Sequence, residues 1–184
     1  MAGQLPVFSS SEEAEILAGV RAGGAARRGA TDRLFRELRE PLLGLCMHLT
    51  GRRADAEDAV QEVFVAVHRG LPGFAGASRL STWIYRIALR AALHARARRQ
   101  DGEPLDPETP GRGGESDMAS RDEARRVASA MARLPASPRA VLSLFAVEGL
   151  SHREIADILG IPEGTVWSRL HAARRMLVGS LGKG

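Results

Sequence analysis

Apolar residues recur along this chain at helical spacing, and nowhere with the strict alternation of a half-buried strand. Ser9, Ser10 and Ser11 precede Glu12 and Glu13, which predicts a helix start with acids in its first turn and an end near Ala22. The stretch Gly23–Ala30 is small and basic and reads as a loop. Leu34, Leu38, Leu42 and Leu45 predict a second helix, capped by Thr31 or Asp32, running to about Thr50 and closed by Gly51. Pro41 lies inside that run and marks a kink or a break. Val60, Val63, Phe64 and Val67 form the buried stripe of a third helix over roughly Ala54–Arg69. Gly70–Ser81 reads as a loop. A fourth helix follows to about Arg99, with an inward stripe of Leu80, Trp83 or Ile84, Ile87, Ala88 and Ala91.

The pattern then stops. Gln100–Asp117 holds three prolines, four glycines and six acids against one arginine, a composition that builds no core and reads as a linker. Beyond it come a helix over Met118–Leu134 and a second one ending at Gly149, with Ser137 as N-cap and Pro138 in the first helical position. Ser151 and Glu154 are spaced as a capping box for a third, which Gly160 ends. A last helix runs from about Pro162 to Val178. The expected fold class is all-α: two small helical domains joined by a flexible linker, with residues 12–99 in the first, 100–117 in the linker and 118–178 in the second.

Composition narrows the function. The chain has 184 residues, 44% of them hydrophobic and only 4% aromatic, which favours packed helices over sheets. The formal charge is only +4, so local arginine clusters matter more than the total for a polyanionic partner. A lone cysteine, Cys46, offers neither an intrachain disulfide nor a zinc site and reads as core. No apolar run approaches the ~18 residues of a membrane span. Met1–Ser11 lacks the basic-then-apolar order of a secretion signal, so a cytoplasmic protein that is not membrane-inserted is expected.

The segment Ser151–Arg175, SHREIADILGIPEGTVWSRLHAARR, reads as helix, glycine turn, helix. A helix-turn-helix needs a small residue at the close approach, a turn glycine and an apolar wedge on the second helix. Ala156, Gly160 and Val166 fill those roles, with Ile155, Ile158, Leu159, Leu170 and Leu177 as further core. If Val166, Leu170, Ala173 and Leu177 face inward, the outer face carries Thr165, Trp167, Ser168, Arg169, His171, Arg174 and Arg175. Guanidinium groups pair with guanine, hydroxyls reach bases or phosphates, and apolar surface meets thymine methyls. An amphipathic helical pair with a solvated basic face is the plainer alternative, and an exposed Trp167 weighs against it.

Two other faces carry charge. The fourth helix presents Arg86, Arg90, Arg96, Arg98 and Arg99 with Trp83 and Tyr85 near its start, a mixture suited to unstacked bases. The loop before it, Phe74–Ser81, is rich in small residues and has room for a flipped base. A solvated arginine face is again the alternative. On the third helix, Asp55, Asp58 and Glu62 share a face, which serves either as a dock for a basic partner or, with His68, as metal ligands.

In this order the motifs resemble an extracytoplasmic-function sigma factor. DAEDAVQEVFVAVHR (Asp55–Arg69) is similar to the family's polymerase-docking helix. STWIYRIALRAALHARARR (Ser81–Arg99) is similar to its −10 recognition helix, and Leu134–Leu177 to its −35-reading domain. The resemblance implies a factor that directs core RNA polymerase to promoters and assists their melting. Core RNA polymerase, promoter DNA and an anti-sigma protein are its implied partners, with no small-molecule substrate and no cofactor. It places polymerase binding at Asp55, Asp58, Gln61 and Glu62. The melted −10 strand falls to Phe74, Ser78, Ser81, Thr82, Trp83, Arg86 and Arg90. The −35 duplex falls to Thr165, Trp167, Ser168, Arg169, His171 and Arg174.

The chain departs from the pattern at Arg90, where the family often has Asn, and at His94, where it often has Asp. Trp167 and Ala172 stand where basic residues are common, and Gly23–Ala30 reads as an unusually long loop. No nucleophile–base set, phosphate-cradling glycine loop or complete metal cluster points to an enzyme. Two rivals remain: a stand-alone helix-turn-helix regulator, which would ordinarily dimerise on two half-sites, and a metal-dependent nucleic-acid enzyme built on Asp55, Asp58 and Glu62.

Overall fold

The computed structural model describes residues 8–98 and 118–181, and the regular elements among them are all helical. Helix α1 (Ser10–Ala22) starts on a capping box. Ser9 Oγ accepts from the Glu12 amide at 3.3 Å, and the Glu12 carboxylate accepts from the Ser9 amide at 2.8 Å. These bonds from Ser9 hold the Glu12 carboxyl below its ordinary range.

The expected loop Gly23–Ala30 does not exist. Helix α2 (Gly24–Thr50) begins straight after a one-residue turn at Gly23, whose φ of 73° favours glycine. Ala25, Ala26, Arg27 and Arg28 are good helix formers. Gly19 lets α1 close on this part of α2, since a Cβ there would lie 2.9 Å from the Ala30 Cβ. Thr31 therefore caps nothing; its hydroxyl donates to the Arg27 carbonyl one turn back at 2.8 Å. Asp32 is likewise inside the helix, and Pro41 is accommodated without ending it.

Helix α3 (Arg53–Gly70) buries Val60, Val63 and Val67 as expected, together with Ala56 and Ala59. Phe64 is only half-buried and stacks on Phe35 at 4.5 Å. A 3₁₀ turn (Leu71–Gly73) leads toward α4 (Leu80–Ala97), whose inward line is Leu80, Ile84, Ala88, Ala91 and Ala95. Ile84, rather than Trp83, takes the core position. The α4 N-terminus has no cap of its own, and Glu13 of α1 supplies one by accepting from the Leu80 amide at 3.0 Å.

The expected linker, residues 100–117, lies outside the described residues. Helices α5 (Met118–Ala132), α6 (Ala136–Ala146), α7 (His152–Leu159) and α8 (Glu163–Leu181) form the second domain. Pro135, not Ser137, occupies the N-cap position of α6; Pro138 falls in the first turn, where a missing amide proton costs little. Arg139 is fully buried. Its Nη1 donates to the carbonyls of Ala132 at 3.2 Å and Leu134 at 3.0 Å, satisfying the end of α5.

The two domains touch: α4 packs on α7, and α2 on α5 and α6. Tyr85 Oη donates to Glu148 Oε2 at 2.8 Å with both side chains buried. Arg96 joins the domains through the Thr50 carbonyl at 3.1 Å and the Ala132 carbonyl at 2.9 Å. Cys46 is fully buried, and burial, helped by the Glu148 charge, pushes its thiol up to about 12.

Two measurements test this packing. A Cβ at Gly70 would sit 2.8 Å from Trp83 Cζ2, so Gly70→Ala is expected to lose about 1–3 kcal/mol on denaturant unfolding. Adding Trp83→Phe, which shortens the ring, is expected to recover part of that loss; no recovery would place the indole elsewhere. Burial also lowers the His48 imidazole from its ordinary 6.5, so the folded chain holds it neutral while the unfolded chain takes up a proton. His48's contribution is complete above 6.5 and falls away as pH drops from there toward the folded value. The melting temperature is expected to decline from pH 7 to pH 5, and to decline less steeply in His48→Gln. Parallel slopes would show that His48 is not the group responsible.

Candidate nucleic-acid interface

The turn between α7 and α8 is built as the spacing predicts. Ser151 caps α7 through a box with Glu154, and the Ser151 bonds hold the Glu154 carboxyl below its ordinary range. Gly160 ends the helix at φ 64°, ψ 37°, and the Ile161 amide reaches back to the Ala156 carbonyl at 3.1 Å. Ile155, Ile158, Val166, Leu170 and Ala173 are buried in the angle between the helices. Ala156, Leu159 and Leu177 are half-buried against them.

With that line inward, α8 exposes Ser168, His171 and Arg174, and Thr165 and Arg169 are half-buried. Trp167 is 57% exposed, unusual for so large an apolar ring. It does not stand alone. The indole stacks on His152 at 4.1 Å and 18°, and His152 in turn stacks on Phe145 at 5.2 Å. The Arg174 guanidinium lies over the far Phe145 ring at 5.3 Å. The sequence reading missed His152 and Phe145, because three rings from α6, α7 and α8 meet with no periodicity to announce them. Ser168 Oγ donates to the Thr165 carbonyl at 3.0 Å, leaving its lone pairs to accept from outside.

The residues expected on the −10 surface are only partly assembled. Phe74, Ser78, Thr82 and Trp83 are half-buried, and Phe74 lies 5.2 Å from Trp83. Arg90 is exposed. Ser81 is buried at 8%, so its hydroxyl is not presented. Arg86 is exposed, but its Nη2 donates to the Asp157 carbonyl at the end of α7, at 2.7 Å.

On α3, Asp58, Gln61 and Glu62 line an open groove with Val65, Ala66, Arg69 and Arg98. Asp58 and Gln61 are exposed, while Asp55 is half-buried in the first turn. Glu62 is paired across to α4, with Arg98 at 2.8 Å and His94 Nδ1 at 3.7 Å. This gives the His94 departure a local reason: an aspartate there would face a carboxylate. Among the described residues no three of His, Cys, Asp and Glu come together as a metal site, which leaves the metal-ligand reading of Asp55, Asp58, Glu62 and His68 without a geometry. No helix among them is long and apolar enough to cross a membrane.

Residues 34–102 match the family model for Sigma-70 region 2, and residues 124–177 that for Sigma-70, region 4. The ECF RNA polymerase sigma factor SigM of Mycobacterium tuberculosis is 35% identical over 170 residues, covering 92% of this chain and 85% of that one. The ECF RNA polymerase sigma-E factor of Haemophilus influenzae is 35% identical over 143 residues, covering 68% and 74%. Among solved structures, CnrH in complex with the cytosolic domain of CnrY aligns with a TM-score of 0.71 at 25% identity, over 94% of this chain and 98% of that one. The sigma factor RpoE in complex with the anti-sigma factor NepR from Bartonella quintana shares the fold, with a TM-score of 0.64 over 82% of this chain and 96% of that one. The chain belongs to the ECF sigma factors, initiation factors that direct core RNA polymerase to promoters.

Proposed function

We propose that the work is divided among three surfaces within the bounds 12–99, 100–117 and 118–178. The exposed part of the α3 face, Asp58 and Gln61 with Asp55 and Glu62 beside them, docks on core polymerase. The α4 segment, through Phe74, Ser78, Thr82, Trp83, Arg86 and Arg90, takes the melted −10 strand, with the buried Ser81 left out of that surface. Helix α8 reads the −35 duplex through Thr165, Trp167, Ser168, Arg169, His171 and Arg174. The protein works in the cytoplasm without catalysing a covalent step, and an anti-sigma factor, as NepR is for RpoE, holds it in check.

The observation that carries this reading is α8 itself: its buried line of Val166, Leu170 and Ala173 leaves Trp167, Ser168, His171 and Arg174 exposed on the opposite face. The stack beneath Trp167 fixes the indole in one orientation before any ligand arrives, so little side-chain freedom remains to be lost on binding. A fixed apolar ring on a major-groove helix suits a thymine methyl.

Reconstitution with core polymerase, followed by mapping of transcription starts, tests the function as a whole; a chain that binds an operator tightly without polymerase would overturn it. Asp58→Arg is expected to weaken polymerase pull-down while changing stability by no more than about 0.5 kcal/mol. Asp58 is the better probe than Glu62, whose reversal would leave Arg98 facing a like charge. Unchanged pull-down would move the dock off α3.

For α8, deoxyuridine is placed at each thymine of the mapped −35 element in turn. Burial of one methyl is worth about 0.8 kcal/mol, so loss of the methyl under Trp167 should weaken holoenzyme binding about fourfold. Trp167→Ala should bind the thymine and uracil duplexes equally. If no thymine methyl matters to the wild-type protein, Trp167 reads something else.

A further inference from the structure

The loop that leads into α4 is held at both ends and exposed in its middle. At its start, the Phe74 amide donates to the Leu71 carbonyl at 3.2 Å, and the Phe74 ring rests 5.2 Å from Trp83. Leu71 is buried and anchors the 3₁₀ turn, which packs on α1. At its end, Leu80 is fully buried, and its amide donates to the Glu13 carboxylate of α1 at 3.0 Å. Between these ends Ala75, Gly76 and Ala77 are exposed, with Gly76 in the left-handed region at φ 72°.

Glu13 is an unusual partner for that amide. The first amides of a helix are ordinarily satisfied by the N-cap side chain. Ser9 and Ser151 do this for α1 and α7, from backbone at φ −64°, ψ 159° and at φ −67°, ψ 158°. Arg79 holds nearly the same backbone, φ −61°, ψ 147°, but a guanidinium has no acceptor to offer. The acceptor comes instead from a residue 67 positions earlier in the chain. A local cap would fix only the helix. This one also ties the end of the loop to α1, whose Ile16 and Val20 are buried in the first domain.

A loop that receives a base benefits from such a tie. Residues that settle only when the base arrives give up backbone freedom at that moment, and the lost freedom weakens capture. Ends fixed beforehand reduce that loss and limit the shapes the loop can take.

We infer that Glu13 is a positioning residue for capture of the −10 strand: through the Leu80 amide it fixes the end of the 74–79 loop against α1, and so sets how sharply the loop distinguishes a base from an empty site. This rests on the assignment of the loop and α4 to the melted strand. Glu13 acts through Leu80 and makes no contact with DNA itself.

The test uses the full chain with core polymerase and a fluorescent single strand of the mapped −10 element. Each base of the strand is replaced in turn by an abasic site. Wild-type holoenzyme is expected to lose most affinity at one position, where the ratio of intact to abasic binding measures capture. Glu13→Ala is expected to lower that ratio about fivefold, the loss of one hydrogen bond, with the abasic strand bound as before. Glu13→Gln keeps an acceptor oxygen and should retain most of the ratio. Because Glu13→Ala also uncaps α4, a second change separates stability from positioning. Arg79→Ser places a hydroxyl on backbone already shaped for a cap. Combined with Glu13→Ala, it is expected to return the melting temperature toward that of Arg79→Ser alone and to leave the capture ratio low. If Glu13→Ala alone does not fold, Arg79→Ser with and without Glu13 carries the same comparison.

A capture ratio restored together with the melting temperature would reduce Glu13 to a cap and overturn the inference. So would an unchanged ratio in Glu13→Ala, an equal loss on the abasic strand, or a Glu13→Gln ratio as low as that of Glu13→Ala. If no abasic site weakens binding by wild-type holoenzyme, the loop captures no base, and the assignment beneath the inference fails with it. That measurement contains no variant, so the two failures are told apart.

Discussion

A phenol hydroxyl and a carboxylate taken out of water together must bond each other or lose about 1–3 kcal/mol apiece in desolvation. Tyr85 and Glu148 meet that requirement across the seam between the domains. The arrangement of α4 follows from it. One side of the helix packs Leu80, Ile84 and Ala88 into the first domain. On the other, Tyr85 and its neighbours are covered by a domain that joins the chain some twenty residues later. Helix α4 is thus a shared wall, and what it can present to DNA depends on whether that second covering is in place.

The parts of the fold set by local chemistry were legible in the residues. Val60, Val63 and Val67 at one helical face, the box of Ser151 with Glu154, and Gly160 at a left-handed turn each carry their instruction within a few positions. The misreadings came where distant contacts decided. Gly23–Ala30 has the composition of a loop, yet α1 closes on α2 through Gly19 and Ala30, and that packing carries the helix through two glycines. Ser137 followed by proline has the form of a helix start, but the helix begins two residues earlier, with the buried Arg139 bonded to the end of α5.

The candidate site divides in the same way. The outward face of α8 could be read from its period, because the inward line of Val166, Leu170 and Ala173 determines it. That Trp167 is fixed rather than loose could not, since its supports come from α6 and α7. Likewise, Glu62 has a plain acidic face in the sequence. Only the fold shows it paired with Arg98, with His94 beside it, so the exposed acid of the groove is Asp58. A departure from the family pattern on α4 is thereby matched to a residue on α3.

Energies decide how such a wall can be both packed and separable. Each polar contact across the seam contributes on the order of 0.5–1.5 kcal/mol net, and those to charged groups about 1.5–3. All three across the seam involve a charged group, so together they contribute about 4.5–9 kcal/mol. Unfolding a domain of ordinary stability costs about 5–15 kcal/mol. That total overlaps the cost of unfolding a domain, so the domains part only where water or a ligand takes up Tyr85, Arg86 and Glu148. Water can solvate all three, and a phosphate can take the guanidinium of Arg86, so the bonds that close the seam are of the kind that nucleic acid and solvent replace. The apolar interiors around Val63 and Val166 have no such substitute, and they remain intact when the domains part.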